Sequence, residues 1–258
     1  MIWPAAAVAG ITALGLSARY NWWRPRRAGI PVLMYHHVTD ELNGTPLPKL
    51  RVSPRRFVRQ LDWLASHGYR TLTLSQALTA PKHLHSAALT FDDGYLDFYD
   101  QAWPLLRERE MTATVFLVSG LDHNAWDRNK GEPREKLLTR DQVLELERHG
   151  IEFGGHSHGH RDLTSLDERS LMVEITGCQK ALTDLLGHPA RVFSYPYGLN
   201  DERVQEAAAQ AGFTTACTTR PGMLTDDTPA YAVPRIIVKR SDDRLDFALK
   251  LTRTRSRF

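Results

Sequence analysis

Two adjacent carboxylates, Asp92 and Asp93, precede Gly94 and Tyr95, and far downstream His156, His158 and His160 fall within five residues. His156 and His160 are four apart, so one helical turn would aim both imidazoles the same way, as a divalent cation requires. His158 would face elsewhere and is not expected as a ligand. Two imidazoles with one carboxylate leave coordination positions open to water and substrate, the layout of a site that does chemistry. A cation there polarises a carbonyl and acidifies water. The second carboxylate is then free to act as a base. Each cluster also has a plainer reading. Asp-Asp-Gly is a common solvated turn, and grouped histidines can form a solvated patch. Adjacent carboxylates do repel, however, unless a cation separates their roles.

Short apolar runs lead into these clusters. Pro31–Tyr35 runs into His36-His37, and Ala87–Phe91 runs into Asp92-Asp93. Ile151–Gly154 leads to the histidine triplet, and Val192–Ser194 leads to Tyr195-Pro196-Tyr197-Gly198. Three more candidate strands are Ala113–Val118, Thr214–Thr218 and Arg235–Val238. Helices with readable ends lie between them. Ser53 can cap a helix with Pro54 at its first position and Gly68 beyond its end. Thr139 with Gln142, and Ser165 with Glu168, form capping-box patterns. Leu171, Ile175, Cys178, Leu182 and Leu185 make one apolar face, which places Cys178 in the core. Seven strands alternating with helices imply a mostly parallel α/β sheet, closed or doubly wound, in a single domain. In such folds the chemistry gathers at the carboxyl ends of the strands. Four polar clusters meet that condition.

Of the 258 residues, 42% are hydrophobic and 24% charged, so a buried core is expected and disorder or coiled coil is excluded. Two cysteines, Cys178 and Cys217, make no disulfide framework. Seven of the 33 basic residues are arginines at the two ends of the chain, leaving 26 against 30 acidic residues in the body. A nucleic-acid partner, which requires a basic folded face, is therefore not expected. Ile2 to Ser17 carries no charge and is followed by Arg19, Tyr20, Trp22, Trp23 and a basic run to Arg27. A positive n-region and a cleavage site are both missing, so residues 1–27 read first as a membrane anchor with a basic flank, with a signal segment as the alternative. The organisation expected is this anchor, one domain over 28–240, and a basic tail over 241–258. The location expected is a bacterial-type inner membrane, with the side left open.

Thr90-Phe91-Asp92-Asp93-Gly94-Tyr95, His156-Ser157-His158-Gly159-His160 and Arg191 through Gly198 closely resemble three motifs of the NodB-homology polysaccharide deacetylases, carbohydrate esterases of family four. The resemblance runs from about Pro31 to Val238, with the motifs in family order. It implies a distorted (β/α)7 barrel. It assigns Asp92 as general base, and Asp93, His156 and His160 as ligands of one divalent metal, zinc first, with cobalt, nickel or iron as alternatives. Arg191 would orient Asp92, and the backbone N–H of Tyr197 would help bind an oxyanion. Most members carry a late Leu-x-Ile-His motif with the acid histidine, and nothing after Arg235 supplies one. The opening Val32-Leu33-Met34-Tyr35-His36-His37-Val38 is instead similar to the circularly permuted poly-N-acetylglucosamine deacetylases, whose acid histidine comes first. His36 matches that position, and His37 falls on a variable one. Tyr231 to Ile236 resembles the late segment of the same branch, where Arg235 would contact the sugar or support the site. Tyr95, in the first motif, joins Tyr197 and Arg235 as a residue expected to face substrate.

The function implied is metal-assisted hydrolysis of N-acetyl groups on an amino-sugar polysaccharide. Asp92 would take a proton from water, and His36 would protonate the departing amine. Two alternatives stand beside it. One is a deacylase of a lipid-linked saccharide precursor; the other is an inactive carbohydrate-binding homologue.

Overall fold

The computed structural model describes residues 25–254. All seven expected strands are present, within two residues of their expected bounds: β1 (Ile30–Tyr35), β5 (Ser86–Phe91), β6 (Thr114–Leu117), β7 (Glu152–Gly155), β8 (Val192–Ser194), β9 (Thr215–Cys217) and β11 (Ile236–Ile237). Four short strands were not expected: β2 (His37–Val38), β3 (Arg51–Val52), β4 (Arg70–Leu72) and β10 (Met223–Leu224). The helices are α1 (Pro54–Ser66), α2 (Leu74–Thr79), α3 (Trp103–Arg107), α4 (Arg140–Arg148), α5 (Glu168–Leu186), α6 (Glu202–Gln210) and α7 (Arg244–Arg253).

The main sheet runs β10-β1-β5-β6-β7-β8-β9, with β11 added on β1 and β4 on β5. Every pair is parallel except β1–β10. Val233 bridges in parallel to Cys217 at the end of β9, and three residues later β11 pairs with β1, so one stretch of chain ties the two sides of the sheet together. The sheet is thereby curled into a half-barrel. Apart from the edge strand β4, its strands are largely buried on both faces, as crossover helices require. Alternation splits their side chains in two. Leu33, Tyr35, Leu89, Phe91, Val115 and Phe153 pack under the helices, whereas Val32, Ala88, Phe116, Val192 and Cys217 form a second cluster on the opposite face.

Sequence capping signals set most helix ends. Ser53 accepts from the Arg56 N–H at the start of α1, with Pro54 first in the helix. Thr139 and Gln142 form a reciprocal capping box at α4. At α5 the cap is Asp167, which accepts from the Ser170 N–H, not Ser165. Ser165 instead ends a 3-10 turn, Leu163–Ser165, held by the Asp162 carboxylate on the Thr164 N–H. Cys178 is fully buried on the apolar face of α5, as its spacing predicts.

The C-terminal end differs from expectation. Residues expected as a basic tail form α7, which begins with a reciprocal capping box between Asp243 and Asp246. Phe247 and Leu251, four apart, are buried against the main core. Lys250 is buried too, donating to Asp242 and to the Ile237 carbonyl. The domain therefore extends past 240, because an apolar stripe lies beneath the basic residues. The membrane expectation for Ile2 to Ser17 lies outside the described residues. Among those described, no helix is long and apolar enough to cross a membrane.

Candidate active site

The carboxyl ends of β1, β5, β7 and β8 converge on a cavity of about 140 Å³, lined by His36, Asp92, Asp93, His156, His160 and Tyr197 among others. Backbone geometry sets up this convergence. A Cβ on Gly155 would meet Phe213 at 2.8 Å, Phe193 at 2.9 Å and the Cys178 sulfur at 3.0 Å, so glycine there lets β7 deliver His156 into the rim. Asp93, Ser157, His160 and Tyr197 all have positive φ without being glycine. Each such conformation costs on the order of 1–2 kcal/mol, and strain of this kind gathers at functional sites.

One ligand atom from each of Asp93, His156 and His160 lies within 4.8 Å of the others, and all three residues are buried. The Nε2 atoms of His156 and His160 stand 3.4 and 3.2 Å from Asp93 Oδ1. His156 donates from Nδ1 to the Ser194 carbonyl at 2.7 Å, which leaves a lone pair on Nε2 facing the carboxylate. Asp93 Oδ1 is a buried acceptor without a hydrogen-bond partner among the described residues. Acceptors facing one another in a buried pocket fit a divalent cation between them. Burial alone would raise the Asp93 carboxyl, but the two imidazoles hold it well below the usual carboxylate range.

Asp92 is held differently. Arg235, fully buried, donates to both its oxygens, from Nη1 at 2.6 Å and Nη2 at 2.7 Å. The remaining donors reach Thr90 Oγ1, Ser194 Oγ and the Thr218 carbonyl, so all five N–H groups of the guanidinium are used. Burial would raise the Asp92 carboxyl, yet Arg235 pulls it below its ordinary value and keeps it ionised. Asp92 is thus a desolvated carboxylate with a fixed orientation, suited to take a proton. Arg191, expected in this role, is exposed at the other end of β8, where its carbonyl receives the Thr214 N–H. Arg235 orients Asp92 and does not line the cavity, so it is also not the sugar contact offered as its alternative role.

His36 lines the cavity half-buried. Burial holds its imidazole below the ordinary value, and the Asp93 and Asp92 carboxylates offset this only in part. Its Nδ1 is buried without a partner among the described residues. His37 also lines the cavity but is tied down: its Nδ1 is 3.1 Å from Asp97 Oδ2, and its ring stacks on Tyr95 with centroids 3.7 Å apart. Tyr95 is buried, and its hydroxyl is pushed well above the ordinary phenol value, first by burial and then by Asp93. Tyr197 is 41% exposed at the mouth. Its hydroxyl receives Lys130 Nζ at 3.1 Å, and the ammonium also lies 4.2 Å from the ring centre.

Sequence reasoning missed one wall of the cavity. Trp126 stacks on His160 at 4.5 Å, and Lys130 joins Asp127 to Tyr197. Opposite them, Arg51 is buried between Glu135 at 2.8 Å and Glu132 at 3.7 Å, while Glu132 receives Thr45 Oγ1 and the Leu47 N–H. These residues sit on the two-residue β3, a 3-10 turn over Ala125–Lys130 and loops, none long enough to show periodicity, and only Trp126 in a polar run offered a signal. His158 turns away as expected, with its Nδ1 3.1 Å from Ser119 Oγ.

The profile of the polysaccharide deacetylases matches residues 79–216. Over 216 residues the chain is 31% identical to YxkH of Bacillus subtilis, covering 82% of this chain and 72% of that protein. It is 26% identical over 215 residues to the poly-β-1,6-N-acetyl-D-glucosamine N-deacetylase of Staphylococcus aureus, covering 77% of this chain and 71% of the relative. The structure of IcaB from Ammonifex degensii aligns with a TM-score of 0.69 at 26% identity, over 83% of this chain and 94% of that one.

Proposed function

The chain belongs to the polysaccharide deacetylase family, and from that premise we propose that it hydrolyses N-acetyl groups on a poly-N-acetylglucosamine-like polysaccharide. The observation that carries this reading is the Asp92 carboxylate, locked ionised by Arg235 and set beside the Asp93, His156 and His160 cluster. A divalent cation held by those three residues, zinc being the first choice for the donor set, would supply electrophilic activation of the acetamide carbonyl and of water. Asp92 takes a proton from water as the water oxygen bonds to the carbonyl carbon. The Tyr197 N–H donates to the oxyanion that forms. His36 passes a proton to the nitrogen as the C–N bond breaks, leaving acetate and a free amine.

The polymer reading is favoured over a lipid-linked saccharide by the Staphylococcus aureus relative, whose name specifies poly-β-1,6-N-acetyl-D-glucosamine. An inactive binding homologue is disfavoured because the polar groups the chemistry needs all lie around one cavity. The uncharged run from Ile2 to Ser17 and the arginines after it support tethering to a bacterial-type inner membrane. Acetate release from β-1,6-linked N-acetylglucosamine oligomers, compared with lipid-linked sugars, tests the substrate. Release from the lipid-linked sugars alone would replace the polymer reading. Asp92→Asn should keep the metal and lose most turnover; loss of metal instead would reverse the roles of the two aspartates.

A further inference from the structure

α5 carries a carboxylate where its apolar stripe calls for a hydrocarbon. Glu174 stands among Leu171, Ile175 and Cys178 on the buried face of the helix and is only 7% exposed. Among the described residues no lysine, arginine or histidine side chain pairs with it. Burying a carboxylate without a cationic partner is costly, so its place there calls for a task that a hydrocarbon could not perform.

That task is visible in its contacts. Glu174 Oε2 accepts the Gly159 N–H at 2.7 Å, and the Glu174 backbone carbonyl accepts the His158 N–H at 3.0 Å. A Cβ on Gly159 would stand 3.0 Å from Glu174 Oε1, so glycine there lets the carboxylate reach the backbone. Both N–H groups lie between His156 and His160, in a bend whose other ties run elsewhere. The His156 N–H donates to the Leu117 carbonyl at 2.8 Å, and the His160 N–H to Ser157 Oγ at 2.9 Å. Ser157 and His160 have φ of 64° and 55°, a backbone that residues with a Cβ adopt only at a cost. The bend therefore relaxes unless contacts from outside hold it. A loop that spends part of its time away from the ligand-ready geometry binds a cation more weakly by that fraction.

Resting on the reading that Asp93, His156 and His160 hold a divalent cation, we propose that Glu174 is a positioning residue for that site. It fixes the bend from His156 to His160 before the cation arrives, and so sets the affinity of the site. It does not line the cavity, and it reaches the ligands only through the backbone of His158 and Gly159.

The test is the zinc affinity of the full chain, measured by competition with a chromogenic chelator, which needs no turnover. Residues that orient metal ligands typically contribute about 10–100-fold in affinity, so Glu174→Ala should raise the Kd for zinc by about that factor. Glu174→Gln keeps an acceptor oxygen at the same reach and should stay within about threefold of wild type. Glu174→Asp keeps the charge but falls one methylene short, and should weaken zinc as Glu174→Ala does. Leu171→Ala opens a cavity three residues earlier on the same helix; it controls for lost stability and should leave Kd unchanged. An unchanged Kd in Glu174→Asp or Glu174→Ala overturns the proposal, as does an equal loss in Glu174→Gln or in Leu171→Ala. The aspartate and glutamine variants decide it even if Glu174→Ala does not fold. A wild-type chain that binds no zinc would fail the metal reading and the positioning role together, whereas tight zinc in wild type and Glu174→Ala alike would fail the positioning role alone.

Discussion

His36 and His37 are neighbours whose surroundings divide their work. His37 is fixed by Asp97 and by the Tyr95 ring, whereas His36 keeps a buried Nδ1 without a protein partner and faces both aspartates. Loss of a general acid typically costs about 10²–10⁴-fold in rate. His36→Ala should fall in that range, and His37→Ala should be milder, with metal content unchanged in both. Paired rates on one acetylated oligomer decide it, and a more severe His37→Ala would give the role to His37. Arg235 makes a second prediction. Removing one partner of a buried ion pair typically costs about 3–5 kcal/mol, so Arg235→Met should lower unfolding free energy by that order in denaturant titrations. Adding Asp92→Asn should restore part of it. No recovery would mean that Arg235 stabilises mainly through Thr90, Ser194 and Thr218. Asp92, Asp93, His156 and His160 were legible in the sequence as a cluster, but the helical turn expected to aim His156 and His160 is instead a bent loop, with left-handed Ser157 and His160 and the His160 N–H donating to Ser157 Oγ. The choice between Arg191 and Arg235 was not legible. Arg191 precedes β8 and lies three residues before Ser194, about 10 Å along an extended strand and away from the chemical rim. Arg235 comes from just before β11, a distant part of the chain.

At the level of elements, caps and apolar stripes carried most of the reading. α1 and α4 begin where Ser53 and Thr139 indicate, since a side-chain oxygen satisfying a free N–H is a local event. The start of α5 was misplaced because Ser165 and Asp167 both offer such an oxygen, and tertiary packing of Leu163 and Leu166 selects the second. The two-residue strands β2 and β3 left no periodic trace; they exist because His37 and Arg51 are held by distant partners. α7 was hidden under its charges. Its Lys250–Asp242 pair is buried, with Asp242 also receiving the Lys239 N–H. Lys250→Met should therefore destabilise the chain by stranding Asp242, and Lys250→Met with Asp242→Asn should recover much of the loss. Thermal melts of these two variants and of Asp242→Asn alone test this, and additive losses would refute the coupling. The cysteines give a further check. Burial pushes the Cys178 and Cys217 thiols up to about 12, so both stay neutral at pH 8. Alkylation at pH 8 should label neither in the folded chain and both in denaturant; fast labelling of the native protein would contradict the packing.

For the whole molecule, an alternation of strands and helices was enough to announce a parallel α/β sheet, because parallel strands need crossovers and crossovers need length. How the sheet curls could not be read, since it depends on Val233 meeting Cys217 and on β11 meeting β1. The Asp93, His156 and His160 cluster, which could hold a metal ion, is a whole-molecule device as well, drawn from the ends of two strands. Chelation should lower the melting temperature of a stoichiometrically loaded protein, and re-addition of zinc should restore it. Full activity and an unchanged melt after chelation would remove the metal from the account. The Asp92–Arg235 pair also places the site in time. The two partners are 143 residues apart. At about 5–20 residues per second on a ribosome, the carboxylate waits on the order of ten seconds for its guanidinium. During that interval a nascent chain holds the cation ligands but no oriented base. On the proposed mechanism, hydrolysis would have to wait until residue 235 is made, and a chain that stops before it would keep Asp93, His156 and His160 without an oriented base.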